Sequence, residues 1–327
     1  MDFRRAESLP WLTATRAQIS GLIGAGRLPH ALLILAKEGV GSEPLADWIA
    51  AATLCESDDA RPCGVCAACA LLLADNHPDL HRVEREEDAQ QLKIEQVRDL
   101  IDAITYTSYR GGYKIGMLVG AERLNAAGAN AFLKTLEEPP ANTLLMLLAS
   151  PNHRLPATIA SRCRRLIVPL PPEAAAIDWL SEQGIGAREA AVRLHMSHGA
   201  PLLAAGLDAA AVQSLAEEMA QQLTQLEQAR SDVSLLAERW LKSGLPLRLM
   251  WLENWITEQV RKLSREAPPS VKTVDAVVLP RSLLKAKIRR LFELLDDVRE
   301  LKRLTATSVN LQLALEGMLI KHFVQDR

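Results

Sequence analysis

The stretch from Gly112 to Leu170 constrains the fold more than any other part of the chain. Three short apolar runs there have the length of buried strands: Lys114–Val119, Thr143–Leu148 and Arg165–Leu170. Between the first two lies a helical pattern, Asn125–Glu138, which ends at a pair of prolines. This order predicts a βαβ unit, because two parallel strands need a long crossover connection. The expected fold class is therefore α/β with a parallel sheet.

Length and composition limit the functions that the chain can have. Its 327 residues are enough for two or three domains. Apolar residues make up 48% and charged residues 24%, which is typical of globular proteins. A net charge of -2 argues against a large basic surface for nucleic acid. The chain has neither an apolar run of the ~20 residues that span a membrane nor a signal-peptide core, so a cytoplasmic location without a membrane partner is expected.

A glycine loop follows another buried run, Ala31–Ala36, and occupies the position of a phosphate-binding loop. Gly39 and Gly41 remain, but Ser42 stands where such a loop has its lysine and Glu43 where it has a hydroxyl for magnesium. An anionic Glu43 at a helix start would repel phosphate. We therefore expect no nucleotide to be bound here, although glycine-loop amides alone are able to hold an anion.

The carboxylates of a phosphoryl-transfer site are also incomplete. In an active ATPase the strand corresponding to Lys114–Val119 is followed by Asp-Glu, which hold magnesium and polarise the attacking water. This chain has Gly120, Ala121 and Glu122 after that strand, so the aspartate is missing and the glutamate is displaced. The sequence predicts that the chain does not hydrolyse ATP by itself.

Four of the five cysteines lie close together, at Cys55, Cys63, Cys66 and Cys69. Four thiolates at this spacing supply the ligands of a closed tetrahedral zinc site. A redox Cys-x-x-Cys pair is the competing interpretation. Because four sulfur ligands leave no position for water, the predicted Zn²⁺ is structural and contributes folding free energy rather than catalysis.

Two motifs of the central stretch identify a family. The segments ANAFLKTLEEPP and ATIASRCRR resemble those of the AAA+ clamp-loader subunits of bacterial DNA polymerase III. In that family the arginine of Ser-Arg-Cys faces ATP held by a neighbouring subunit, so the resemblance implies that Arg162 is an arginine finger acting in trans, with Ser161 and Cys163 as its motif. A charged, planar guanidinium suits a transferred phosphoryl group. The alternative is an arginine that pairs with a local carboxylate.

The resemblance covers the whole chain and implies three domains. These are an AAA+ (P-loop NTPase-like) domain at 1–170 with a zinc module at about 55–69, a small helical lid at 171–208, and a helical collar for oligomerisation at 209–327. Leu202 stands where active relatives have an arginine that touches ATP. Helical patterns in the third region, with a loop expected at Pro268–Ser270, cover Val212–Glu227, Val233–Leu241, Leu247–Leu263, Pro280–Leu295 and Val298–His322.

The function implied by the resemblance is that of a clamp-loader subunit that does not hydrolyse ATP. Its implied partners are ATPase subunits of the gamma or tau type and the delta subunit and, through the complex, the sliding clamp and primed DNA. It would then be a component of a DNA-directed DNA polymerase, a transferase. Two alternatives stay open: an active P-loop ATPase of the gamma or tau type, and a zinc-dependent nucleic-acid module. The second is disfavoured by Glu56, Asp58 and Asp59 among the cysteines.

Overall fold

A computed structural model describes residues 1–85, 91–151, 155–228, 230–265, 281–305 and 309–324. Contacts within the chain define two compact units. The sheet unit consists of Met1–Ala190 with Gly199–Gly206, and the helical unit consists of Ala191–His198 with Leu207–Arg327. The expected division into three domains stays a prediction.

The sheet unit is built on five parallel strands, in the spatial order β2-β3-β4-β1-β5. The strands are β1 Ala31–Ala36, β2 Leu80–Val83, β3 Lys114–Val119, β4 Thr143–Ala149 and β5 Arg164–Val168. Successive residues of β3 and β4 are buried, which shows that both faces of the sheet are covered. The predicted parallel α/β class is confirmed. The last strand ends at Val168 instead of Leu170, because Pro169 has no N–H to donate to a ladder.

Helices precede, connect and follow the strands of the sheet unit. They are α1 Thr13–Gly24, α2 Ser42–Leu54, α3 Ala67–Leu73, α4 Ile94–Thr105, α5 Ala126–Glu137, α6 Ala157–Ala160, α7 Glu173–Glu182, α8 Ala187–Met196, which continues into the helical unit, and α9 Pro201–Gly206. Helix α2 packs against β1, β3 and β4, whereas α4 packs against β2, β3 and α5. One core cluster joins Leu33 and Leu147 of the sheet to Leu100 of α4 and Phe132 of α5.

The helical unit contains α10 Ala209–Glu227, α11 Val233–Lys242, α12 Leu245–Arg265, α13 Arg281–Leu304 and α14 Leu311–Phe323. Its core surrounds Trp240, which is fully buried and donates its indole N–H to the Gln222 side chain at 2.7 Å. The loop predicted at Pro268–Ser270 lies outside the described residues. In the part of the chain that the structure describes, every helix is too short or too polar to cross a lipid bilayer.

The predicted boundary between the last two helices is wrong. We expected helices at Pro280–Leu295 and Val298–His322, but α13 continues to Leu304 and α14 begins at Leu311. Val298 and Leu301 are both buried, so the apolar stripe of α13 runs through the expected break. The start of α14 is fixed by Asn310, whose side chain accepts a hydrogen bond from the Leu313 amide at 3.2 Å.

Candidate functional site

The Ser-Arg-Cys motif forms the turn between α6 and β5. The Arg162 amide donates to the Ile159 carbonyl at 3.0 Å, which closes the turn. Cys163 is buried in the same core cluster as Ile159, and burial raises the pKa of its thiol to about 11. Cys163 is therefore a neutral anchor at neutral pH, whereas the neighbouring Ser161 and Arg162 are exposed.

The Arg162 guanidinium is held by two contacts within the chain. Its Nη2 lies 2.5 Å from a carboxylate oxygen of Glu137, and its Nη1 donates to the Thr158 carbonyl at 2.9 Å. A guanidinium has five N–H donors, and the hydrogen bond to Thr158 uses one of them, so donors remain to bind an anion that approaches from outside. Arg162 thus has the local carboxylate partner of the alternative interpretation and still keeps donors for a phosphate.

The glycine loop packs under the first turn of α9. Gly39 and Gly41 both have positive φ, +78° and +107°, and lead into α2. The Leu202 amide donates to the Gly39 carbonyl at 3.0 Å. The Leu203 side chain fills the place where a Cβ of Gly39 would lie, and Leu202 lies near Gly41. Apolar side chains of the same unit therefore occupy the space beside the loop.

Ser42 is the first residue of α2, and the next position, Glu43, belongs to a charged cluster. The guanidinium of Arg82 in β2 lies 2.5 Å from Glu43, 3.1 Å from Asp47 and 3.5 Å from Glu84. Burial raises the pKa of Asp47 to about 6, and the charge of Arg82 opposes this shift without cancelling it. The start of α2 thus carries an ion-paired carboxylate, Glu43, where a phosphate-binding loop carries its hydroxyl.

The four clustered cysteines are brought together as predicted. Their sulfur atoms all lie within 4.8 Å of one another, with 3.9 Å between Cys55 and Cys66 and 4.0 Å between Cys63 and Cys69. A tetrahedral zinc site with Zn–S bonds of about 2.3 Å has sulfur atoms about 3.8 Å apart. Backbone amides of Val65 and Cys66 lower the pKa of the Cys63 thiol to about 6. The donor set and its spacing fit a metal ion such as zinc.

Polar contacts join the cysteine module to the rest of the sheet unit. Arg4 donates to the Gly64 carbonyl at 3.2 Å, and Arg110 Nε donates to the Glu56 carboxylate at 2.9 Å. The Arg110 amide in turn donates to the buried carboxylate of Asp79 at 3.1 Å. A metal at the cysteines would therefore stabilise segments that are far apart in the sequence.

Sequence reasoning missed three residues of these sites: Glu137, Arg82 and Leu203. Glu137 stands in the Leu-Glu-Glu-Pro-Pro motif, but spacing alone does not show which of the two glutamates meets Arg162. Arg82 lies on a short strand, and the charged residues near it in the sequence do not indicate that it pairs with Glu43 and Asp47 of α2. Leu203 follows Leu202, which stands where active relatives have an arginine. That replacement is the one feature of the sequence that could have predicted an apolar contact with the loop.

The order of the parallel strands, the glycine loop after β1 and the helical region that follows define the class of the chain. It is a P-loop NTPase-like α/β protein of the AAA+ type, with a four-cysteine cluster that fits a metal ion.

Comparison with known proteins identifies the particular family. The family described as "DNA polymerase III, delta subunit" matches residues 13–172, and that described as "DNA polymerase III, delta subunit, C terminal" matches residues 214–322. DNA polymerase III subunit delta' of Pseudomonas aeruginosa is 36% identical over 253 residues, 76% of each chain. The subunit delta' of Escherichia coli K12 is 31% identical over 323 residues, 97% of this chain and 96% of the relative. The chain belongs to the DNA polymerase III subunit delta' family.

A second kind of relative matches part of the chain. DNA polymerase III subunit tau of Salmonella typhimurium is 37% identical over 142 residues, which is 43% of this chain and 22% of that protein. The chain is thus related to two different subunits of the same replication polymerase.

Proposed function

We propose that this chain is a clamp-loader subunit that does not hydrolyse ATP and that lends Arg162 in trans to ATP held by a neighbouring subunit. The observation that carries the proposal is a contrast within the sheet unit. The Arg162 guanidinium is exposed and keeps N–H donors beyond the one that bonds Thr158, whereas the chain's own glycine loop is packed against Leu203.

The chemistry of phosphoryl transfer gives the arginine its role. Negative charge accumulates on the transferred phosphoryl group, and a guanidinium placed beside it stabilises the transition state. The buried Cys163 fixes the backbone next to Arg162, so the side chain extends from a rigid base. Because the ATP belongs to another subunit, the site is complete only after assembly.

The proposed partners are ATPase subunits of the gamma or tau type together with the delta subunit. The relationship to a tau subunit supports this choice, because subunits with similar folds assemble into rings through repeated contacts between unlike faces. In that ring the chain helps to place the sliding clamp on primed DNA. A Zn²⁺ at the four cysteines serves as a structural ion in this proposal.

The second candidate is an active ATPase of the gamma or tau type. Gly39 and Gly41 favour it, since they keep the strand-loop-helix arrangement that cradles phosphate. Ser42, Glu43 and the packing of Leu203 oppose it. The two candidates differ in whether the purified chain hydrolyses ATP without a partner.

The test is ATP hydrolysis by the purified chain, alone and then assembled with a tau-type subunit. We expect no turnover alone. In the assembly, Arg162→Ala is expected to lower kcat at the shared site by about 1000- to 100,000-fold. Arg164→Ala is the matched control, because Arg164 is also exposed and lies two residues further along the chain.

Two results would contradict the proposal. Turnover by the chain without a partner would favour the active ATPase. Full kcat with Arg162→Ala, in an assembly that forms normally, would remove the proposed role of this arginine.

A further inference from the structure

We infer that Glu137 is the positioning residue of Arg162: it orients the guanidinium so that the remaining N–H donors face the phosphate of the neighbouring subunit. This inference rests on the proposed function of Arg162. It assigns a role to a side chain that lies outside the Ser-Arg-Cys motif and comes from a different helix.

The guanidinium is anchored at two of its nitrogens by two different elements. Glu137 is the last residue of α5 and meets Nη2 at 2.5 Å, whereas Thr158 belongs to α6 and its carbonyl accepts from Nη1 at 2.9 Å. Two anchored nitrogens fix both the position and the plane of the group.

The contribution of this ion pair to folding is expected to be small. The Arg162 side chain is 36% exposed and the Glu137 side chain 51%, and ion pairs at such exposure contribute little to stability. The contribution of the ion pair to orientation is expected to be larger, because an unanchored arginine samples many rotamers and binding a phosphate must restrict them. An arginine that is already anchored has lost this freedom before the phosphate arrives.

The adjacent glutamate does not have the same role. Glu138 leaves the helical conformation, with φ -126° and ψ 70°. Among the described residues its side chain forms no ion pair with Arg162. Glu138 is therefore a matched control, with the same chemistry and a similar exposure one residue away.

Charge and orientation have opposite effects on the neighbour's ATP. The negative charge of Glu137 repels phosphate, so removing the charge alone would tighten ATP binding, whereas losing the orientation would lower kcat. Glu137→Gln removes the charge and keeps an acceptor oxygen for Nη2. Glu137→Ala removes both.

The experiment measures kcat and KM for ATP in the assembly with a tau-type subunit. We expect Glu137→Ala to lower kcat by about 3- to 10-fold, the range that follows from immobilising one long side chain, with KM changed less than about twofold. Glu137→Gln should restore most of the lost kcat. Glu138→Ala should match the wild type, and Glu137→Ala should have no further effect when Arg162→Ala is already present.

Each contrary result has a defined meaning. Wild-type kcat in Glu137→Ala, the same loss in Glu138→Ala, or an equal loss on the Arg162→Ala background overturns the positioning role. If Arg162→Ala itself keeps full kcat, the proposed function has failed. If Arg162→Ala is impaired and Glu137→Ala is not, the positioning role alone has failed.

Discussion

Leu203 and Glu43 are the two side chains near the glycine loop that most oppose nucleotide binding there. Leu203 lies against Gly39, and Glu43 is paired with Arg82. Neither contact needs a change in the path of the backbone, because the positive φ of Gly39 and Gly41 still produces the turn from β1 into α2. The features that oppose nucleotide binding therefore lie in side chains and not in the backbone.

Gly39→Ala tests how tightly the loop is packed. A Cβ at Gly39 would collide with Leu203, and φ is +78° there, so we expect a loss of about 2–4 kcal/mol in the free energy of unfolding. Gly26→Ala is the control, since Gly26 has a similar φ of +63° with open space around it. Urea unfolding of both variants checks this, and equal losses would show that Leu203 does not constrain the loop.

Asp47 makes a pH-dependent contribution to stability. Its pKa is raised from 3.8 to about 6 in the folded chain, so its contribution is present at acidic pH and is lost as pH rises from about 4 to about 7. Asp47→Asn removes this dependence. The stability of the variant relative to the wild type should therefore increase over that range, by about 3 kcal/mol at most.

Unfolding curves from pH 4 to pH 7.5 check this expectation. Glu84→Gln is the control, because Glu84 meets the same Arg82 but its side chain is 60% exposed. A constant difference between Asp47→Asn and the wild type at all pH values would show that Asp47 ionises normally in the folded chain.

The secondary-structure elements were predicted well where a short apolar run is bounded by turn residues. The bounds of β1 and β3 agree with the structure for this reason. The break between α13 and α14 was missed, because Asp297 at the expected break does not end a helix. Its carboxylate instead meets Lys321 at 2.7 Å and His322 at 2.6 Å on α14.

The sites, like the secondary-structure elements, were predictable where they depend on residues that are close together in the sequence. The cysteine cluster was predictable, because its spacing is local in the sequence. Arg162 was singled out by the resemblance of its motif to a family, and its role stays a prediction. The Arg162–Glu137 contact joins residues that are 25 positions apart and depends on where α5 ends. The sequence does not encode that geometry in any local pattern.

Glu253 joins two helices of the helical unit. It lies on α12 and meets Lys302 and Arg299 of α13. Burial raises the pKa of Glu253, but hydrogen bonds from His198 and Lys302 outweigh it and hold the pKa below its usual range. Its contribution is therefore present at neutral pH and is lost as pH falls.

Glu253→Gln should lower the free energy of unfolding by about 1–3 kcal/mol at pH 7, because the largely covered carboxylate of Glu253 is the charged partner of His198 and Lys302. The loss should shrink toward pH 3. Glu238→Gln is the control, since Glu238 forms an exposed ion pair with Lys242 within one helix. Thermal melts across pH check both variants, and a loss that does not depend on pH would contradict the role of the charge.

Each of the two units has its own hydrophobic core, and the cysteine module belongs to the sheet unit alone. Removing a bound metal should therefore affect the units differently. With chelator, calorimetry should show the melting temperature of the sheet unit falling by at least about 5 °C, and that of the helical unit unchanged.

Cys69→Ser is the matched control for chelation. The variant should already melt at the lower temperature, and chelator should cause no further shift. Identical melting curves for the metal-loaded and the chelated wild type would show that no structural ion is held at these cysteines.

The contact between Leu203 and Gly39 also bears on how the conformation of the sheet unit responds to ATP in the cell. A loop that is filled from within its own unit needs no ligand to keep its shape. We therefore expect the sheet unit to keep one conformation whether ATP is abundant or absent.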